Sequence, residues 1–136
     1  MDVLGPSGRI FPLWSLGAGI GHFAQREIVT CYGASKVVPA AGPLVPFPGG
    51  VVILGGLMVS VGVWPNLGAL LLVAFLVPTA MLMHGFWHET DPARETNEQT
   101  QFLKIRSLAG AALALFAFFA AEDDLGLVVL GLLFPL

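Results

Sequence analysis

The sequence predicts an all-α protein: an integral membrane four-helix bundle with a short apolar tail at its C-terminal end. Three observations predict it. Hydrophobic residues make up 56% of the 136 residues and charged residues only 11%, against about 25% charged in a soluble domain. The apolar residues fall into four runs, at about 10–24, 47–64, 67–86 and 103–121. Only one stretch, 89–101, is strongly hydrophilic. A soluble chain of this length could not hide so much apolar surface, so a single membrane domain, 1–136, is expected.

The first run is short for a span of about 20 residues. It opens with Arg9, which can snorkel to headgroups, and Pro12, which a first helical turn tolerates. Gly17, Gly19 and Gly21 thin one side and invite close helix contact. Ser15, His22 and Arg26 fall near one face at the helical period. From Gln25 to Pro48 the chain turns polar (Arg26, Glu27, Lys36), and Pro39, Pro43, Pro46 and Pro48 then forbid a long helix. The residues from Val37 to Phe47 are too apolar to float in water, so an interfacial loop or half-buried lid is expected.

The second run carries Gly49, Gly50, Gly55, Gly56 and Gly62, again suited to tight packing. Trp64-Pro65-Asn66 is a short turn with tryptophan at interface level, which makes runs two and three an antiparallel hairpin. Pro78 interrupts the third run. In a membrane the carbonyl it leaves unpaired needs a partner, so Pro78 is expected to face protein. Glu89, Asp91, Arg94, Glu95 and Glu98 make 89–101 a polar loop. The fourth run ends at Glu122, Asp123 and Asp124, and the tail 125–136 is apolar but too short to span. That tail is expected at the interface or against a neighbouring subunit.

Several function classes drop out. The formal net charge is −3, with no basic stripe, so nucleic acid is not an expected partner. Cys31 is alone, so no intrachain disulfide can form; it reads as a small apolar filler. The N-terminal residues, with Asp2, lack the basic region of a cleaved signal peptide. No hydrolase elbow, phosphate loop or nucleotide fingerprint occurs. Lysine and arginine placement predicts orientation. Arg26, Lys36, Arg94, Lys104 and Arg106 share one side and only Arg9 the other, which places the long loops in the cytoplasm and both termini outside a multi-pass inner (plasma) membrane protein.

Four crossings bring the ends of runs one and three to one membrane face. His22, His84 and His88 therefore cluster there, with Tyr32, Trp87, Lys104 and Arg106. His84 and His88, four apart, share a face on a continuing helix. Such a cluster could coordinate a metal with help from Glu89 or Asp91, relay protons, or hydrogen-bond a quinone carbonyl with Trp87, Phe86 and Phe23 against the ring. A His-x3-His pair without a third fixed ligand is weak ground for a metal, and none is assigned. One histidine also suffices for haem or chlorophyll. The bland counterpart is interfacial anchoring, which histidine and tryptophan do anyway. Lys104 and Arg106 oppose the dipole at the start of the fourth helix, which favours Glu98, Glu27 or an anionic ligand as their partner.

The order of motifs resembles the DoxX family of small four-helix bacterial membrane proteins. The pieces are Gly19-Ile-Gly-His-Phe23, Tyr32-Gly-Ala-Ser-Lys-Val-Val-Pro39, Leu54-Gly-Gly-Leu57, Gly62-Val-Trp-Pro-Asn-Leu-Gly-Ala-Leu70, His84-Gly-Phe-Trp87 and Gln101-Phe-Leu-Lys104. The chain departs at His22, where such proteins often carry lysine, and at Asn66, where a basic residue commonly follows the second helix. The resemblance implies a four-helix bundle and, from relatives linked to quinone-dependent sulfur oxidation and membrane oxidoreductase assemblies, a redox association. The expected function is a redox-associated membrane subunit. It would hold a quinone-like or other apolar ligand near His22, His84, Trp87 and His88, with Lys104 or Arg106 compensating charge. The rival is a structural accessory subunit of a larger membrane complex. Expected partners are the bilayer and other membrane subunits or further copies of the chain.

Overall fold

The computed structural model describes residues 10–36 and 46–121. Five α-helices hold nearly all of them: α1 (Ile10–Ala24), α2 (Arg26–Ser35), α3 (Pro46–Val61), α4 (Pro65–Met83) and α5 (Pro92–Ala121). A single 3-10 turn, Phe86–His88, joins the last two, and the described residues contain no β-strand. The expectations for Arg9, for most of the proline-rich stretch, for Glu122–Asp124 and for the tail 125–136 lie outside the described residues.

Long helices pack in chain order, α1 on α3, α3 on α4 and α4 on α5. Small residues set how closely. A Cβ on Gly49 would lie 2.8 Å from the His22 Cβ, and one on Gly68 2.8 Å from the Gly55 carbonyl. Both are closer than carbon atoms approach, so α1–α3 and α3–α4 touch backbone to backbone, as thin helix faces in lipid do. Gly17, Gly21 and Gly50 meet nothing within 4 Å, so only part of the glycine content serves contact. The buried core is small and aliphatic: Val52, Ala69, Leu72, Leu76 and Ala112, closed by Phe119.

The α3–α4 hairpin follows from its turn chemistry. Gly62 (φ 72°) and Trp64 (φ 46°) both adopt left-handed backbone. Glycine does so freely; tryptophan does so under strain. Pro65 then starts α4 with its φ already helical, and buried Asn66 accepts the Leu67 N–H through Oδ1 at 2.8 Å.

Three expectations are corrected. The connection after α1 is not loop throughout, because Gln25 bends the chain without breaking it. Its N–H reaches the Gly21 carbonyl, its own carbonyl accepts the Val29 N–H, and α2 follows at once. The helix holding His84 stops at Met83. Gly85 is buried against Trp87, so His84 and His88 do not share a helical face. The hydrophilic stretch is mostly helix, since Asp91 accepts the Ala93 N–H through Oδ1 (3.1 Å) and the Glu95 N–H through its carbonyl (2.9 Å), with Pro92 in the first turn. This is a helix start built from a capping acid and a proline. Pro78, expected to face protein, is exposed and lines the wall of a cavity between the helices.

Pro65–His88 and Pro92–Ala121 are each long and apolar enough to cross a membrane; α3 is apolar but shorter. Only 28% and 17% of their most apolar windows are buried inside the molecule, so most of that apolar surface faces outward. At 1.5 Å per residue α5 is about 45 Å long, whereas α1 and α3 reach only about 22–24 Å.

Candidate functional site

α2, the end of α4 and the polar third of α5 meet at one end of the bundle. Glu98 is the centre of that meeting. Its Oε1 accepts the Tyr32 hydroxyl at 2.7 Å and the Lys36 ammonium at 3.0 Å, and its Oε2 accepts His84 Nδ1 at 2.8 Å. Lys36 also reaches Glu89 Oε1 at 2.6 Å. The Glu98 side chain is 9% exposed, His84 17% and Lys36 16%. A carboxylate removed from water to that extent is costly unless several donors satisfy it, and here three do.

These contacts set the protonation behaviour. Burial pushes the Tyr32 phenol up, and the Glu98 carboxylate adds to it, to about 12. Burial opposes the Lys36 charge, yet Glu89 and Glu98 together hold its ammonium above its usual range.

Beside this cluster lies a cavity of about 590 Å³, bounded by α1, α2, α3 and α4. That size suits a drug-sized ligand or a cofactor ring. Its wall is almost wholly apolar, with Phe47, Val51, Leu71, Phe75 and Leu82 prominent; His22, Tyr32, Thr79 and His84 are its polar side chains. His22 Nδ1 lies 2.9 Å from the Ala18 carbonyl, and its ring stands edge-on to Phe75 with centroids 5.6 Å apart. The Thr79 hydroxyl donates to the Phe75 carbonyl at 2.8 Å. Pro78 and Ala74 line the same wall, and Pro78 has no N–H to give the Ala74 carbonyl one turn earlier.

His22 and His84 thus meet at one cavity. The other residues expected at the site do not line it. Trp87 is exposed and packs edge-on with Phe86 and Phe102. His88 is exposed beside Trp87. Lys104 and Arg106 are exposed midway along α5, well past its start at Pro92, so the dipole argument for their partner lapses; Glu98 pairs with Lys36. Arg26 is exposed at the start of α2, while Ser15 on α1 is buried. Among the described residues no group of three histidine, cysteine or acidic side chains is arranged to hold a metal.

Sequence reasoning left out the Lys36–Glu89–Glu98 network. Its signal was present. Once Asp91-Pro92 is read as a helix start, Glu98 falls seven residues before Ile105 and in phase with buried Ala109 and Ala112. It is therefore on the inner stripe of α5.

Comparison with protein-family models, with curated proteins and with solved structures finds no match to this chain.

Proposed function

We propose that the protein is an integral membrane four-helix bundle, a redox-associated subunit that holds a quinone-like apolar ligand in the cavity between α1, α2, α3 and α4. The observation that carries this reading is the cavity itself: apolar walls of ligand size, with His22, Tyr32 and His84 converging on it and a carboxylate behind His84. A flat apolar ring needs such walls, and its polar substituents need a few placed hydrogen-bonding groups. The outward apolar faces of α4 and α5 support lipid on the other side. Phe47 (72% exposed) and Leu82 (58%) at the cavity rim support entry from the bilayer rather than from water. The resemblance to DoxX proteins supplies the redox association. The lysine and arginine placement supports an inner membrane orientation with the Glu98 end in the cytoplasm.

The testing experiment is His22→Ala with His84→Ala in purified full-length protein, titrated with a short-tailed quinone and with its hydroquinone. Loss of at least about tenfold in affinity for one of the two is expected, from two lost hydrogen bonds of about 1 kcal/mol each. Unchanged affinity for both overturns the reading. One observation favours the accessory-subunit alternative: the exposed Trp87, braced by Phe86 and Phe102, is a rigid aromatic surface of the kind that interfaces use. Co-purification of a partner that Trp87→Ala releases would support it.

A further inference from the structure

The polar side chains of the cavity divide unequally into donors and acceptors. Every side-chain donor hydrogen in the wall is already committed within the protein. The Tyr32 hydroxyl goes to Glu98 and the Thr79 hydroxyl to the Phe75 carbonyl. A backbone carbonyl can only accept, so the His22 Nδ1 lying 2.9 Å from Ala18 O must carry its proton there. The same holds for His84 Nδ1, 2.8 Å from the Glu98 carboxylate. In a neutral imidazole with Nδ1 protonated, Nε2 is a lone pair. Neither Nε2 has a partner among the described residues. Ala74 adds a carbonyl that Pro78 cannot serve.

We infer that the cavity selects a lipophilic molecule bearing hydroxyl donors, of the hydroquinone or phenol class, over the corresponding quinone or ether, with Nε2 of His22 and of His84 accepting the hydroxyls. This rests on the reading of the cavity as a quinone-type site and names which redox form it prefers. A quinone carbonyl brought to two imidazole lone pairs finds no hydrogen and loses its hydration. A hydroxyl brought to the same atoms replaces the water it leaves. Glu98 strengthens the effect at His84, since a carboxylate behind Nδ1 makes the far nitrogen a better acceptor, as carboxylate partners do for metal-binding histidines. Preference for the reduced form also shifts the couple. Each tenfold difference in affinity raises the midpoint potential of the bound ligand by about 30 mV for two electrons.

The test uses the full-length protein in detergent, under anaerobic conditions and at about pH 8, above the ordinary imidazole range. Calorimetry compares three probes with one decyl tail: a hydroquinone, its benzoquinone, and the hydroquinone dimethyl ether. The hydroquinone should bind about tenfold tighter than either of the others. His22→Leu should erase much of that preference. Benzoquinone or ether binding as tightly as hydroquinone overturns this inference and leaves the quinone-type site standing. Failure of all three to bind removes both.

Discussion

Glu98 shows how much one side chain can organise. It joins α5 to Tyr32 on α2, to Lys36 just beyond it, and to His84 at the end of α4. Glu98→Leu would leave the His84 imidazole without its acceptor, the Tyr32 phenol with only the Met83 carbonyl at 3.3 Å, and Lys36 with Glu89 alone. Breaking one partner of a buried ion pair costs on the order of 3–5 kcal/mol, so thermal unfolding in detergent should fall by many degrees. Glu98→Gln keeps an acceptor oxygen and should lose less. The pH dependence follows from the direction of the Tyr32 shift. Tyr32 is raised, so its contribution is complete below pH 10 and is lost between 10 and about 12. Melting temperatures should therefore fall as pH rises from 10 towards 12, and the fall should flatten in Tyr32→Phe; an unchanged alkaline limb there would show that Tyr32 does not carry it.

At the scale of elements, the contact between α1 and α3 decides where His22 stands. Gly49 lies against the His22 Cβ, so Gly49→Ala must push α1 away from α3 or tilt the ring. Overpacking of this kind costs about 1–3 kcal/mol, and ligand affinity should drop with it. Gly17→Ala is the control: it meets nothing within 4 Å, and replacing a helical glycine should stabilise by up to about 1 kcal/mol. Equal effects of the two substitutions on melting and on binding would remove close packing as the cause. α2 was legible only as a polar, partly apolar connection, because its ten residues have low hydropathy and their helical partners lie far along the chain. The start of α5 was legible in Asp91-Pro92, but its charges read more readily as a solvated loop.

The whole molecule presents apolar surface outward from each of its long helices, as Leu13, Leu54, Val77 and Leu113 illustrate. In water such a surface would drive association; in lipid it is the solvent-matched face. Leu113→Lys, on the exposed face of α5, should therefore lower insertion by about 2.5–3.5 kcal/mol at mid-bilayer, read as the fraction of chain retained in carbonate-washed membranes. Retention equal to the unaltered protein would argue against lipid at that face. Lys104 and Arg106 stand nearer the polar end of the same helix, where long cationic side chains can reach headgroups.

Composition and punctuation alone determined the helical character and the hairpin at Trp64-Pro65. Apolar runs must satisfy their own backbone, and proline and glycine decide where they stop. The sequence also predicted that His22 and His84 come together, from the alternating direction of successive apolar runs, and the structure brings both to one cavity. Tertiary structure decided which polar groups meet. Tyr32 and Glu98 are 66 residues apart, and Lys36 and Glu89 are 53 apart. Nothing local marks such partners, because a charged side chain has the same helix propensity whether water or another helix satisfies it. Only the packed faces, brought together by small residues, convert a charge that reads as loop into the buried centre of a site.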